Sequence, residues 1–351
     1  RDLVRSRGLG DVYKRQMAVC VTDFVQGTLM LIGLLVVPLV AYFLLPGNLT
    51  DLISQSSVTG GAGAYLNPFM NGDRPYTFIE IFSQLAWGFG YCGMPHVLVR
   101  FMAVKNEKEL KKSWAIAIVW DLLSLTAAFA IAVIGRAYLL PVILGENGAA
   151  SSESVFIEMI RKVFTSELAL PFIGGLFLCG ILAAIMSTAD SQLLVTASAV
   201  SEDLYHSFIK KDADTEEILK VSRITVIAIA VIAFAIAWNP DSSIMGLVSN
   251  AWAGLGSAFG PIVVMSLFWR RTNLPGAIAG MVTGGLTVII WDYIPLVGGQ
   301  TLGTYTGLYS LAVGFLFSLV MIVIVSLVTK APSKEITDEF DLSLIHISEP
   351  T

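Results

Sequence analysis

The chain has 351 residues, of which 55% are hydrophobic and only 14% are charged, and its mean hydropathy is +0.74. A soluble globular domain carries about 25% charged residues, so this composition excludes that class of protein. The three cysteines show no C-x-x-C spacing and the three histidines are not paired at helical spacing, so the sequence predicts neither a disulfide framework nor a zinc site. We expect neither a metal enzyme nor a nucleic-acid partner.

The two ends of the chain differ from the region between them. Residues 1–16 are polar and basic, and they lack the apolar core of a signal peptide. The closing stretch LSLIHISEPT is equally unlike the sequence before it, and both stretches resemble translated adapter from a sequencing library. We therefore expect a truncated gene fragment, with a non-native leader over residues 1–16, a membrane domain over 17–339 and a non-native tail over 340–351.

Apolar residues are concentrated in runs of about 20, the length at which a helix crosses a bilayer core of about 30 Å. These runs predict an all-α polytopic membrane protein. Long polar loops near 46–77 and 140–170 alternate with loops that are short or strongly charged. The eight predicted spans are residues 17–45, 78–100, 113–139, 171–200, 221–239, 244–269, 276–294 and 305–329.

The lysines and arginines of the loops are distributed unevenly. Thirteen lie in or beside the loops near 101–112, 201–222, 270–275 and 330–339, whereas four lie on the opposite side of the predicted spans. Because cytoplasmic loops carry the excess of positive charge, we expect the first set of loops in the cytoplasm. The first span then runs outward, the C-terminus is cytoplasmic, and a bacterial plasma membrane is the expected location.

The second span, FSQLAWGFGYCGMPHVLVRF, contains three glycines and Pro95 within eight residues. Glycine costs about 1 kcal/mol in a helix interior and proline about 3 kcal/mol, so this pattern predicts a broken helix. Unwound backbone persists in a membrane only where it is buried in protein or lines a cavity, and transporters build their sites in this way. The alternative is a proline kink without a ligand. Trp87 and Tyr91, one helical turn apart beside the break, favour a binding site.

The fourth span carries a stripe of small and hydroxyl residues. Ala184, Ser187, Thr188 and Ser191 follow the spacing i, i+3, i+4, i+7 of one helix face. A desolvated Na⁺ takes about five or six hard oxygen ligands, and two hydroxyls with a backbone carbonyl would supply about half of them. The alternative is close helix packing with hydroxyls bonded to their own i−4 carbonyls. Spacing alone favours neither interpretation.

Charged side chains at membrane depth are costly and usually functional. Asp23 lies near the start of the first span, where it could equally act as an interfacial cap. Asp121 lies inside the third span, about two turns from cytoplasmic lysines that could be its structural partners. Asp190 lies beside the hydroxyl stripe and is the strongest candidate for a second cation or a proton.

Four blocks resemble the sodium/solute symporter family: WGFGYCGMPHVLVRFMA (87–103), GILAAIMSTADSQLLVTASAVSEDLY (180–205), VTDFVQGTLM (21–30), and residues 247–291, which open with LVSNAWAGLGSAFG. Together they span most of residues 17–339. The resemblance implies a core of two inverted five-helix repeats, of which this chain would hold core helices five to ten and two C-terminal helices. The N-terminal helices, which complete the sodium site in the family, would then be missing.

The resemblance also implies roles for individual residues. Ala184 through its carbonyl, and Ser187 and Thr188 through their hydroxyls, match the family's Na⁺ ligands, with Na⁺ as the coupling ion. The residues that match its substrate-binding positions are Trp87, Tyr91 and Pro95. Asp23 resembles an aspartate proposed near the cytoplasmic sodium exit, while Asp190 and Ser191 remain candidates for a second cation.

The implied function is sodium-coupled symport of a small solute, most closely L-proline, by alternating access across the lipid bilayer and without enzymatic chemistry. Two departures leave alternatives open. Met94 stands where the resemblance leads us to expect a glutamine in the break, and the run STADSQ around Asp190 differs from the expected sequence. The alternatives are symport of pantothenate, a sugar or a monocarboxylate, and a symporter-like sensory domain.

Overall fold

A computed structural model describes residues 2–55, 61–102, 104, 106–139, 152–238 and 243–348. Helices dominate these ranges. The first six are α1 Asp2–Phe43, α2 Leu49–Gln55, α3 Gly61–Tyr65, α4 Phe78–Leu85, α5 Trp87–Gly90 and α6 Pro95–Met102. The remaining nine are α7 Glu107–Tyr138, α8 Val155–Ile160, α9 Pro171–Ser198, α10 Thr215–Ala237, α11 Ile244–Phe268, α12 Leu274–Tyr293, α13 Leu302–Thr306, α14 Ser310–Val328 and α15 Lys334–Ser348.

The described residues also form shorter helical turns and two hairpins. A 3₁₀ turn covers Tyr91–Gly93, and wider π-helical turns cover Arg161–Glu167 and Ala199–Ile209. Two antiparallel hairpins pair β1 Met70–Asn71 with β2 Arg74–Pro75 and β3 Pro295–Val297 with β4 Gln300–Thr301.

The chain divides into two compact units. The first comprises residues 1–75 and 105–241, and the second comprises residues 76–104 and 242–351. Helices α1, α7, α9 and α10 therefore belong to the first unit. The broken helix α4–α6 and helices α11, α12 and α14 belong to the second unit.

In the first unit, α1 packs against both α7 and α9. A Cβ added at Gly33 of α1 would lie 3.1 Å from the Phe177 ring, and one added at Gly180 of α9 would lie 3.4 Å from Leu29. One helix advances from residue 177 to 180 while the other retreats from 33 to 29, so the two helices are antiparallel. Each residue rises about 1.5 Å along a helix, so these contacts fix which residues of the two helices lie level.

In the second unit, α12 and α14 pack closely along a line of glycines. A Cβ at Gly280 would overlap Ile322, and one at Gly276 would overlap the Ser326 hydroxyl. Small residues let two membrane helices approach until their backbones are nearly in contact, and dispersion then stabilises the pair. Across this seam the side chain of Asn273 joins the two helices, accepting from the Gly276 N–H and donating to the Lys330 carbonyl at 2.8 Å.

The hairpin β3–β4 is closed by Gly298 and Gly299, whose φ angles are +56° and +81°. A two-residue turn with both φ angles positive matches the right-handed twist of the strands, and glycine adopts it without the Cβ clash. The apolar spans predict only a loop between residues 294 and 305, so this hairpin was not predicted. The hairpin β1–β2 was likewise not predicted, because two-residue strands carry too few positions for an alternating pattern.

The predicted all-α polytopic class is confirmed. Within the described residues seven helices are long and apolar enough to cross a membrane, and they match seven of the eight predicted spans. The last of these begins at Ser310 rather than residue 305, because left-handed Gly307 ends the short helix α13. The predicted end at residue 239 and the first part of the predicted loop, residues 140–151, lie outside the described residues.

Helix α1 begins at Asp2 and so extends through the stretch 1–16 that we assigned to a non-native leader. Helix α15 likewise crosses the predicted boundary at residue 340. A helical backbone does not reveal the origin of a sequence, so both assignments stay predictions. The family-derived numbering of core helices also stays a prediction.

Candidate functional site

The second predicted span is broken, as the glycines and Pro95 predicted. Its first segment, α4, starts at a complete capping box in which Thr77 and Glu80 satisfy each other's backbone N–H groups. The helix then passes through α5 into the 3₁₀ turn Tyr91–Gly93, and Met94 is extended, with φ −89° and ψ 111°. Helix α6 restarts at Pro95, the first helical position, where a missing N–H costs nothing.

The break rests directly on α11 of the same unit. A Cβ at Gly93 would lie 2.6 Å from the Leu255 carbonyl oxygen and 2.8 Å from the Gly256 Cα. A Cβ at Gly90 would overlap the indole of Trp252. Close approach to the α11 backbone therefore requires glycine at 93, and the indole requires it at 90, in addition to the effect of both glycines on the helix. These contacts explain the glycines and leave the alternative of a proline kink without a ligand open.

Aromatic rings from three segments meet beside the break. Trp87 stacks on Tyr309 with ring centroids 5.6 Å apart and lies 5.9 Å from the Trp252 ring. Tyr91 meets Trp252 edge-on at 4.9 Å. The Trp252 Nε1–H donates to the Trp87 carbonyl at 3.0 Å, and the Tyr309 hydroxyl donates to the Ser249 carbonyl at 2.6 Å. The two predicted substrate residues Trp87 and Tyr91 are thus brought together in one aromatic cluster.

The two predicted rings differ in what they offer a ligand. Trp87 is partly buried between its two ring neighbours, whereas Tyr91 is 57% exposed. Tyr91 therefore presents most of its surface to the space beside the break. An aromatic wall of this kind suits an apolar ring, and the phenol adds one polar group.

The restart of the helix offers a polar feature next to these rings. Within the described part of the chain, the backbone N–H of His96 has no hydrogen-bond acceptor, while the Val97 and Leu98 N–H groups both donate to the Met94 carbonyl. An unpaired N–H at a helix N-terminus attracts an anionic group. Met94 itself is only 2% exposed, so it is packed against protein.

The hydroxyl stripe lies on α9 in the first unit. The Thr188 hydroxyl donates to the Ala184 carbonyl at 3.4 Å, and the Ser191 hydroxyl donates to the Ser187 carbonyl at 3.0 Å. These are the bonds to i−4 carbonyls that the alternative of close helix packing predicts. A hydroxyl that donates its proton still carries lone pairs, so this bonding is compatible with cation coordination. The Ser187 hydroxyl makes no hydrogen bond within the described residues.

The predicted acidic residues lie in different surroundings. Asp23 is partly buried and lies on the helix α1 that packs against α9. Asp190 and Asp121 are both exposed.

The structure groups the predicted site residues in two sets, and each set lies within one unit. Ala184, Ser187, Thr188 and Ser191 share α9, which packs against the helix α1 that carries Asp23 in the first unit, and Trp87, Tyr91 and Pro95 share the broken helix of the second unit. Sequence analysis missed Trp252 and Tyr309. Trp252 stands out as the one large aromatic in the run NAWAGLGS, but nothing local shows that it meets a residue 165 positions earlier.

Comparison with known proteins identifies the family. A profile of the Sodium:solute symporter family matches residues 16–284. The osmoregulated proline transporter OpuE of Bacillus subtilis is 42% identical over 319 residues, which cover 91% of this chain and 60% of OpuE. The high-affinity proline transporter PutP of Bacillus subtilis is 38% identical over 334 residues, which cover 93% of this chain and 64% of PutP.

The sodium/proline symporter of Escherichia coli is 38% identical over 328 residues, which cover 92% of this chain and 61% of that protein. The chain thus spans somewhat less than two thirds of the length of these curated relatives. The resemblance inferred from the four sequence blocks is confirmed, and the broken apolar helix and seven apolar spans agree with it. This chain belongs to the sodium:solute symporter family.

Proposed function

We propose that this chain is the larger part of a transporter that couples the entry of L-proline to the entry of Na⁺. The broken helix of the second unit carries the proposal, because it combines an aromatic wall with an unpaired backbone N–H in an apolar span. Its relatives include proteins named as proline transporters and sodium/proline symporters. Proline combines an apolar pyrrolidine ring with a carboxylate, which are the two chemical features that this site would recognise.

The proposed substrate contacts divide between the two features. Tyr91 and Trp87 would contact the pyrrolidine ring through their faces and edges. The carboxylate would accept from backbone N–H groups at the start of α6, where Pro95 ends the break and the helix dipole is positive. Pro95 contributes by fixing the backbone, since its own nitrogen cannot donate.

The proposed Na⁺ ligands are the Ala184 carbonyl and the Ser187 and Thr188 hydroxyls. Neutral oxygens suit a cation that must bind and leave in every cycle, because a permanent carboxylate contact would hold it more strongly. Asp23, on the neighbouring helix α1, would attract the ion along its cytoplasmic exit through longer-range charge. Asp190 and Ser191 are proposed as a second cation or proton position next to the stripe.

Coupling in this scheme is thermodynamic. Na⁺ increases proline affinity only to the extent that it binds the substrate-competent state more tightly than the other states. Inward movement of one charge through a potential of 100 mV releases about 2.3 kcal/mol, which drives accumulation of the solute. The cycle makes and breaks no covalent bond.

Labelled-proline uptake into proteoliposomes by the full-length protein, with and without an inward Na⁺ gradient, tests this function. We expect uptake to exceed the gradient-free level at least about tenfold, since an inward Na⁺ gradient of tenfold alone supplies about 1.4 kcal/mol. Excess pantothenate, glucose and acetate serve as competitors and should leave uptake unchanged. If one of these compounds blocked the sodium-driven uptake, that compound would replace proline as the proposed substrate. Absence of any uptake by folded protein would favour a sensory role.

We propose a cytoplasmic position for the C-terminus and for the loop between α9 and α10, because thirteen loop lysines and arginines lie on that side and four on the other. Single cysteines at Lys211 and Asp73, both exposed, test this orientation in an otherwise cysteine-free protein. A membrane-impermeant maleimide should label the position-211 cysteine in inside-out vesicles and the position-73 cysteine in right-side-out vesicles. The reverse pattern would invert the topology.

A further inference from the structure

Both proposed substrate rings depend on a single side chain of another helix. The Trp252 indole, on α11, donates its Nε1–H to the Trp87 carbonyl at 3.0 Å. The same indole packs 5.9 Å from the Trp87 ring and 4.9 Å from the Tyr91 ring, with the Tyr91 ring at 84° to it. Trp252 thus fixes both the backbone at the start of the break and the two rings beside it.

The sequence of the break is adapted to this indole. Gly90 lies between Trp87 and Tyr91, and a Cβ there would overlap the Trp252 ring. On the far side of Trp87, Tyr309 stacks at 5.6 Å and is itself tied to α11 through the Ser249 carbonyl. The Trp87 ring is therefore held by two neighbours, while Tyr91 relies on Trp252 and keeps 57% of its surface exposed.

We propose that Trp252 is a positioning residue of the substrate site, which holds Trp87 and Tyr91 in the arrangement that binds the solute. Trp252 acts through these two residues and through the Trp87 carbonyl, without itself contacting the solute. This inference rests on the proposed function, since it assumes that the break binds the transported solute. Loss of the indole N–H would let the break and its rings sample other arrangements. The apparent affinity then falls in proportion to the fraction of protein that keeps the competent arrangement.

Trp252→Phe and Trp291→Phe form a matched pair for the test. Both tryptophans are partly buried in the second unit, and each donates its indole N–H to a backbone carbonyl at 3.0 Å, Trp291 to that of Leu308. Each substitution removes one such hydrogen bond and keeps an aromatic ring, so their general effects on stability should be similar. Only Trp252 contacts the proposed substrate rings.

In full-length protein, Trp252→Phe should raise the KM of Na⁺-driven uptake about tenfold, because about one molecule in ten would keep the competent arrangement. The maximal rate per folded transporter should stay within about twofold of wild type, since saturating solute restores that arrangement. Trp291→Phe should leave KM unchanged. Gly90→Ala should also raise KM, and the increase should be smaller in a Trp252→Ala background, where the indole no longer meets the new methyl group. Such a rescue would show that the overlap with the indole causes the increase in KM.

A second readout does not require transport. Cys92 lies next to Tyr91 in the 3₁₀ turn and is partly buried. With all other cysteines replaced by serine, its alkylation by a maleimide should be several times faster in Trp252→Phe than in wild type, because the break opens more often. Trp291→Phe should alkylate at the wild-type rate.

The positioning role would be overturned if Trp252→Phe had the KM of wild type, or if Trp252→Phe and Trp291→Phe changed KM equally. Wild-type uptake of a solute other than proline would refute proline as substrate, and the KM comparison for that solute would still decide this inference. If wild-type protein transported nothing, the proposed function would fail. The Cys92 rates alone would then support or overturn the role of Trp252.

Discussion

Ser187→Ala and Thr188→Ala are each expected to raise the Na⁺ concentration for half-maximal proline uptake at least tenfold. Each substitution removes one oxygen from the proposed ion site, and an interaction between a charge and a polar group contributes about 1.5–3 kcal/mol. A change of about 1.4 kcal/mol corresponds to a factor of ten in affinity. Uptake as a function of Na⁺ concentration in proteoliposomes measures the effect.

Thr196→Ala is the matched control, because its hydroxyl is bonded in the same way as that of Thr188. Thr196 donates to the Gln192 carbonyl at 2.8 Å, is exposed, and lies two turns further along α9, off the stripe. It should transport with the Na⁺ dependence of wild type. Thr188→Ser, which keeps the hydroxyl, should retain most of the affinity. Equal losses in Thr188→Ala and Thr196→Ala would show that the hydroxyls stabilise the helix and do not bind the ion.

Gly93→Ala is expected to destabilise the protein strongly and to abolish uptake. The new methyl group would lie 2.6 Å from the Leu255 carbonyl oxygen and 2.8 Å from the Gly256 Cα. Both contacts are with the backbone of α11, which cannot rotate away as a side chain can. Overpacking of this kind costs about 1–3 kcal/mol, and the upper end applies where backbone must shift. Thermal unfolding in detergent, followed by tryptophan fluorescence, measures the loss.

Gly88→Ala provides the control within the same broken helix. Apart from its chain neighbours and the backbone of its own helix, no described atom lies within 4 Å of a Cβ added at Gly88. Alanine in a helical position is about 1 kcal/mol more favourable than glycine, so unfolding should occur at the same or a slightly higher temperature. If Gly88→Ala unfolded as readily as Gly93→Ala, a general intolerance of the broken helix to alanine would explain the effect, and the close approach to α11 would not. If Gly88→Ala lost uptake while remaining stable, a ligand or another segment would approach this position.

The sequence by itself determined the membrane class and most of the spans, because burial in lipid demands long apolar helices and leaves a signal that needs no tertiary information. It also located the broken helix, since glycine and proline weaken a helix through the backbone of the residues concerned. Family membership followed from the four blocks and is confirmed by comparison. Shorter features left no such signal, as the two hairpins closed by turn residues show.

The hydroxyl stripe marks the limit of local patterns. Its spacing is equally typical of a cation site and of close helix packing. The structure adds that Thr188 and Ser191 bond to carbonyls of their own helix and that α1, which carries Asp23, packs against α9. The second observation depends on how α1 meets α9, which the sequence of neither helix specifies. The predicted ion ligands therefore remain a proposal, now with a defined neighbour.

Only the tertiary structure decided what surrounds the break. The local sequence identified Trp87 and Tyr91, because they lie one helical turn apart in one short segment that contains glycines. Trp252 lies 165 residues from Trp87 in the sequence. Contacts between distant segments depend on the packing of whole helices, and no local preference encodes them. The fit between Gly90 and the Trp252 indole is of this kind, since the reason for the glycine becomes visible only when both helices are in place.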